Sequence, residues 1–114
     1  MGEPCWYGVG RSDDLVAETA SHVDLAGHSV GVAHSVGVVY ALKDECGHGQ
    51  VRLSEGEVKG GFVECWWHGS GFDMAYGAPT GPSAVTAVPV YPVRVVAGCV
   101  EVQVPRTGAG VAGV

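Results

Sequence analysis

An all-β fold is predicted by three features of this 114-residue chain: an apolar fraction dominated by valine, nineteen glycines, and clean apolar/polar alternation over residues 91–96 and 99–104 around Ala97-Gly98. The branched side chain of valine suits a pleated, half-buried surface. Glycine supplies the positive φ that tight turns need, and alternation of period two marks a strand with one buried face. At this length the chain is one domain that buries roughly two-thirds of its unfolded surface, enough for a core without staples.

The first strand covers residues 6–9, and Arg11-Ser12-Asp13-Asp14-Leu15 is a polar turn that opens one helical turn capped by Ser12 or Asp13. Residues 21–25, 28–34 and 36–42 read as short strands separated by Ala26-Gly27 and by the Ser35 region. His22, His28 and His34 fall here without sulfur ligands nearby in sequence and read as ordinary strand or turn residues. A loop spans 43–53, Gly56 marks a turn, and Lys59-Gly60-Gly61 joins 57–58 to 62–64 as a hairpin. Ala78-Pro79-Thr80-Gly81-Pro82-Ser83 is too rich in proline and glycine for regular structure. Residues 91–96 and 99–104 make the clearest hairpin, placing Cys99 half-buried in a strand and leaving Cys5 near a terminus. A Cys5–Cys99 bridge is improbable in a reducing compartment.

The chemistry concentrates in two segments. Cys46-Gly47-His48 and Cys65-Trp66-Trp67-His68 are separated by sixteen residues, and each is followed by a glycine, Gly49 and Gly69. Soft anionic thiolates suit one ferric iron bridged by sulfide, while neutral imidazoles hold a second iron without adding charge. Cys46, His48, Cys65 and His68 therefore fit the ligand set of an asymmetric [2Fe–2S] cluster. Zn²⁺ accepts the same donors, but zinc sites typically group cysteine with cysteine and histidine with histidine, whereas here each histidine trails a cysteine. Imidazole in place of thiolate leaves the reduced cluster less negative and raises its potential. The pattern is that of a one-electron carrier. Gly69-Ser70-Gly71 is too short for a phosphate loop, and no paired carboxylates stand out for acid–base work.

With these residues the chain resembles the Rieske-type ferredoxins of bacterial multicomponent aromatic-ring dioxygenases. The landmarks are Trp6-Tyr7, Val39-Tyr40-Ala41-Leu42, Leu53-Ser54-Glu55-Gly56, Glu64-Cys65, His68-Gly69, Phe72-Asp73 and Tyr91-Pro92-Val93-Arg94-Val95. The resemblance implies the Rieske fold, an antiparallel β-sandwich base with a small cluster-binding subdomain. That domain would span 1–106, its subdomain about 43–83, and 107–114 would be a disordered tail. Cys46 and Cys65 would hold the buried iron, and His48 and His68 the outer one through Nδ1. The implied role is electron transport in aromatic hydrocarbon catabolism: the chain, not itself an enzyme, would pass electrons from an NAD(P)H-dependent flavoprotein ferredoxin reductase to the terminal oxygenase. The alternative is the small Rieske-like subunit of a cytoplasmic nitrite reductase, which often lacks the ligands that are all present here.

Gly47 and Trp66 stand where that family commonly has proline, so each ligand loop loses a fixed φ. High-potential Rieske proteins brace the cluster with a disulfide, and Val51 and Trp67 occupy its positions here. Of the serine and tyrosine that hydrogen-bond the cluster sulfurs there, Ser70 matches the first and Phe72 replaces the second without a hydroxyl. Fewer donors place the potential at the low end of a range of about −150 to +300 mV. Trp66, Trp67, Ser70 and Phe72 are the candidates for lining the cluster or for docking, and the two tryptophans, between two ligands, would either dock a partner or shield the cluster.

A net charge of −6, from six basic against twelve acidic residues, argues against nucleic-acid binding. No apolar run approaches the length of a membrane span and no leader or lipidation signal is evident, so the expectation is a cytoplasmic monomer.

Overall fold

The computed structural model describes residues 4–45, 51–66, 71–80 and 87–105. Among them are ten strands: β1 (Pro4–Arg11), β2 (Thr19–Leu25), β3 (His28–Ser35), β4 (Val38–Lys43), β5 (Glu57–Lys59), β6 (Phe62–Glu64), β7 (Gly71–Asp73), β8 (Val90–Tyr91), β9 (Val93–Val96) and β10 (Cys99–Pro105). They form three antiparallel sheets, ordered β1-β10-β9, β2-β3-β4-β8 and β5-β6-β7. The helical content of the described residues is two single 3₁₀ turns, Ser12–Asp14 and Leu53–Glu55, so the all-β expectation holds.

Four hairpins close through two-residue turns with positive φ at both positions: Ala26-Gly27, Val36-Gly37, Gly60-Gly61 and Ala97-Gly98. Type I′ turns require that pair of dihedrals and match the twist of the flanking strands, and glycine at the second position makes them accessible. Val36 therefore belongs to a turn and not, as the sequence suggested, to a strand; the pairing of Ser35 with Val38 leaves only Val36 and Gly37 to connect them.

The four-stranded sheet is the middle layer, and period-two alternation gives its faces different tasks. Val30, Val32 and Ala41 face the β1-β10-β9 sheet, packing with Val102, Val104 and Leu25. The opposite face presents Ala33 and Leu42 to a second core made by Val58, Val63, Cys65, Phe72, Met74 and Leu53. β3 is thus covered on both sides, which is why it reads as nearly continuous burial. Tyr91 packs in the first core, where burial, reinforced by the charge of Glu45, pushes its hydroxyl above the usual range.

Several local expectations need correction. The strand expected over 91–96 divides at Pro92: β8 pairs with β4, and β9 crosses to pair with β10. Proline cannot donate to a ladder, and the break at that residue lets the chain change sheets. Pro79 does enter regular pairing, bridging Phe72, because the flanking bonds Asp73 N–H to Ala78 O (2.8 Å) and Thr80 N–H to Gly71 O (2.8 Å) need nothing from the proline nitrogen. The turn at Ser12–Asp14 has Arg11 at its N-cap and no side-chain cap. Cys99 is exposed, and Cys5 lies within β1. Cys5 pairs with Val104 while Cys99 pairs with Arg11, at the other end of the same ladder. At about 3.3 Å per residue that separation is far beyond disulfide reach. The tail 107–114 lies outside the described residues.

Candidate metal centre

The second ligand segment is aimed by β6. Val63 and Cys65 point inward, and Phe62, Glu64 and Trp66 point outward, because strand alternation continues past the last ladder residue. The Cys65 thiol is therefore fully buried, 0% exposed, among Val51, Leu53, Val63 and Phe72, whereas Trp66 is 60% exposed. Phe72, paired with Val63 on β7, is also 0% exposed and belongs to the core; it is not available as a docking residue. Val51 is buried beside them.

The turn that closes the first loop, Leu53–Glu55, is tied to the same core by two contacts. Leu53 caps the core from the 3₁₀ turn, and Gly56 closes that turn through its N–H to Leu53 O at 2.9 Å. Gly56 lies against the strand that leads to Cys65: a Cβ there would come within 1.9 Å of Glu64 O. The turn that follows the first loop and the strand that leads to Cys65 therefore meet backbone to backbone. Cys46, His48, Trp67, His68 and Ser70 themselves lie outside the described residues.

Sequence reading missed one partner set. Asp44, buried at the end of β4, accepts the Ser54 N–H at 2.7 Å, the Ser54 hydroxyl at 2.6 Å and the His22 Nδ1–H at 2.7 Å. Its partners are 10 and 22 residues away, so no local spacing announces them. His28 and His34 bond backbone carbonyls, of Pro105 at 3.0 Å and Leu15 at 3.2 Å.

Residues 5–92 match the family of the Rieske [2Fe-2S] domain. The chain belongs to that family. The ferredoxin subunit of anthranilate 1,2-dioxygenase from Burkholderia cepacia is 40% identical over 99 residues, covering 87% of this chain and 92% of the relative. A chain from the solved complex of reduced oxygenase and oxidized ferredoxin in carbazole 1,9a-dioxygenase superposes with a TM-score of 0.79 at 32% identity, over 85% of this chain and 91% of that one. A structure from Mycobacterium tuberculosis described as a nitrite reductase small subunit has a TM-score of 0.81 but 24% identity, over 90% of this chain and 96% of that one, and shows the Rieske fold alone.

The cofactor implied by the family is a Rieske-type [2Fe–2S] cluster, and the described side of the site suits it. A thiol fully enclosed by apolar side chains is the donor that a buried ferric iron needs, since it brings the anionic charge to the metal and excludes water from it. When bound, such a cluster accepts and releases one electron. Cys65 would hold it, with Val51, Leu53 and Phe72 forming an apolar wall beside the thiol.

Proposed function

We propose that this Rieske ferredoxin is the one-electron carrier of an aromatic-ring dioxygenase system, not itself the enzyme. It takes electrons from an NAD(P)H-dependent flavoprotein ferredoxin reductase and delivers them to a terminal oxygenase. The ligands are Cys46 and Cys65 on the inner iron and His48 and His68 on the outer one, with Ser70 donating to a cluster sulfur. The carrier works as a monomer in the cytoplasm. The observation that carries the reading is the Cys65–Trp66 step: one residue fully buried as a thiolate donor, the next 60% exposed, so that the electron site and the surface are one residue apart.

No described helix is long and apolar enough to cross a membrane. A cluster-binding subdomain over about 43–83 would suit brief contact with two different partners in turn. Transient redox encounters are small, with less than about 1,200 Å² buried, and release quickly.

The test is reconstitution. The purified protein should contain two irons and two sulfides per chain, show Rieske absorption and EPR, be reduced by NAD(P)H with a flavoprotein ferredoxin reductase, and reoxidise on mixing with an oxidised aromatic-ring oxygenase. Zinc in place of iron would overturn the cluster. Failure to transfer electrons from a fully loaded protein to such oxygenases, with transfer to a nitrite reductase instead, would move the chain to the other branch of the fold.

A further inference from the structure

Asp44 and Ser54 bracket the first loop. Asp44 directly follows β4 and Ser54 lies in the Leu53–Glu55 turn, so residues 45–53, including Cys46 and His48, leave and return at this pair. Ser54 gives the same carboxylate both of its donors, the N–H to Oδ1 at 2.7 Å and the hydroxyl to Oδ2 at 2.6 Å. From β2, which lies beyond β3 in the sheet, His22 Nδ1 approaches Oδ2 at 2.7 Å. A carboxylate only accepts, so this contact fixes the ring with a proton on Nδ1. The other ring nitrogen is 3.2 Å from the exposed Asp24 carboxylate. The Asp44 side chain is itself 0% exposed.

Backbone contacts also fix this group. The Asp44 N–H is tied to Ser29 O at 3.0 Å. Gly31, which pairs with His22 across the sheet, lies against the same carboxylate; a Cβ there would make an ordinary contact at 3.4 Å from Oδ1. Burying a carboxylate has a desolvation cost, and paired buried charges are often no more stabilising than an apolar side chain of similar volume. What this arrangement supplies is geometry: one rigid acceptor, held by β2, joins the two ends of a loop through two parallel bonds.

We propose that Asp44 is a clasp for the first ligand loop, with Ser54 as its catch and His22 as its anchor. These are positioning residues: the clasp fixes the mouth of the loop, and thereby the spacing at which Cys46 and His48 are offered to the cluster. The proposal rests on the reading of Cys46 and His48 as ligands.

The test uses the holoprotein and the variants Ser54→Ala and Ser54→Thr. Loss of one hydrogen bond to a charged acceptor corresponds to a change on the order of tenfold in an opening equilibrium. Hydrogen–deuterium exchange in a peptide spanning 44–53 should therefore quicken about tenfold in Ser54→Ala, while a peptide from β10 exchanges as before. Iron loss to a chelator should accelerate in step, the Rieske EPR lines should broaden, and Ser54→Thr, which keeps the hydroxyl, should restore all three. Unchanged exchange in the loop of Ser54→Ala, or a change that Ser54→Thr fails to restore, would overturn the clasp. Faster loop exchange with wild-type iron loss and EPR lines would overturn its link to the cluster. Full retention of iron in separate Cys46→Ala and His48→Ala variants would overturn the ligand reading and leave the clasp to be judged by exchange alone.

Discussion

The Gly60 N–H donates to the Glu18 carboxylate at 3.0 Å across 42 residues of sequence, joining the outer hairpin to the sandwich base. The same carboxylate accepts the Ser35 hydroxyl at 2.8 Å and the Val36 N–H at 3.0 Å, and the Ser35 oxygen in turn accepts the Gly61 N–H at 2.8 Å. Two type I′ turns, at Val36-Gly37 and Gly60-Gly61, are thereby locked to each other. Glu18 holds a positive φ of 60° to make this reach, a conformation that a non-glycine residue adopts only when its surroundings hold it there.

Those donors, led by the Val36 N–H and then the Ser35 hydroxyl, with Gly60 and the nearby charge of His34 adding to them, hold the Glu18 carboxyl below its ordinary value of 4.5. A group that binds its proton less readily in the folded state contributes stability above its ordinary pKa and loses it as the pH falls through the folded one. Glu18→Gln should lower the urea midpoint at pH 7, and the gap from wild type should narrow below pH 4.5. Urea titrations at pH 7 and pH 3 measure this. A gap that stays constant between them would remove the ionised carboxylate from the explanation.

Gly56 faces a different constraint. Its backbone is extended, with φ −89°, so the restriction is purely steric: Glu64 O occupies the place of a side chain at 1.9 Å. Gly56→Ala must separate the Leu53–Glu55 turn from β6, at a cost in the overpacking range of about 1–3 kcal/mol. Because β6 leads directly into Cys65, the variant should also hold less iron per chain than wild type. Thermal unfolding and iron analysis check both effects, and a fully loaded protein of unchanged midpoint would show that the turn can retreat freely.

Much of this fold is written in local pattern. The alternation of β10, the turns at Ala26-Gly27 and Ala97-Gly98 and the hairpin at Gly60-Gly61 follow from rules that act over a few residues, and the structure has them. The burial of Cys65 and the exposure of Trp66 also follow from period-two alternation along β6. What the sequence does not disclose is long-range. Pro92 reads as a member of one strand until the strand order shows that the chain changes sheets there. Asp44 reads as one more acidic residue beside the first ligand segment, yet its burial is decided by Ser54 and His22. Phe72 reads as a residue that lines the cluster or docks a partner, and its place opposite Val63 buries it in the core.

The position of Phe72 bears on the reduction potential. It is fully buried in the same core as Cys65 and brings no hydroxyl, and Val51 beside it brings no sulfur for a bracing disulfide. Donors to the cluster sulfurs stabilise the added electron, so their scarcity places the midpoint potential below zero, near the low end of a range of about −150 to +300 mV. Phe72→Tyr should raise it. If the hydroxyl finds no acceptor, the variant loses about 1–3 kcal/mol of stability instead and keeps the wild-type potential. Protein-film voltammetry at pH 7 decides, and a wild-type value well above zero would refute the argument.

Docking places the heaviest demand on Trp66. Strand alternation turns it outward together with Phe62 and Glu64, while its neighbour Cys65 points into the core. A large aromatic ring beside a redox site is an anchor that can dominate the energy of a small interface. Between residues 43 and 73, Glu45, Glu55, Glu57, Glu64 and Asp73 keep some exposure against three basic residues, Lys43, Arg52 and Lys59, whereas Asp44 is buried and paired and adds little to the outer field. Such a surface steers a basic partner, and steering weakens as salt shortens the Debye length. Trp66→Ala should therefore slow electron transfer to the oxygenase severalfold in stopped-flow mixing, with iron content and potential nearly unchanged. Raising the ionic strength should slow wild type and variant alike, because the acidic residues remain in both. Were transfer by the intact variant as fast as wild type, the ring would be a lid on the cluster and the partner would dock elsewhere on this end of the molecule.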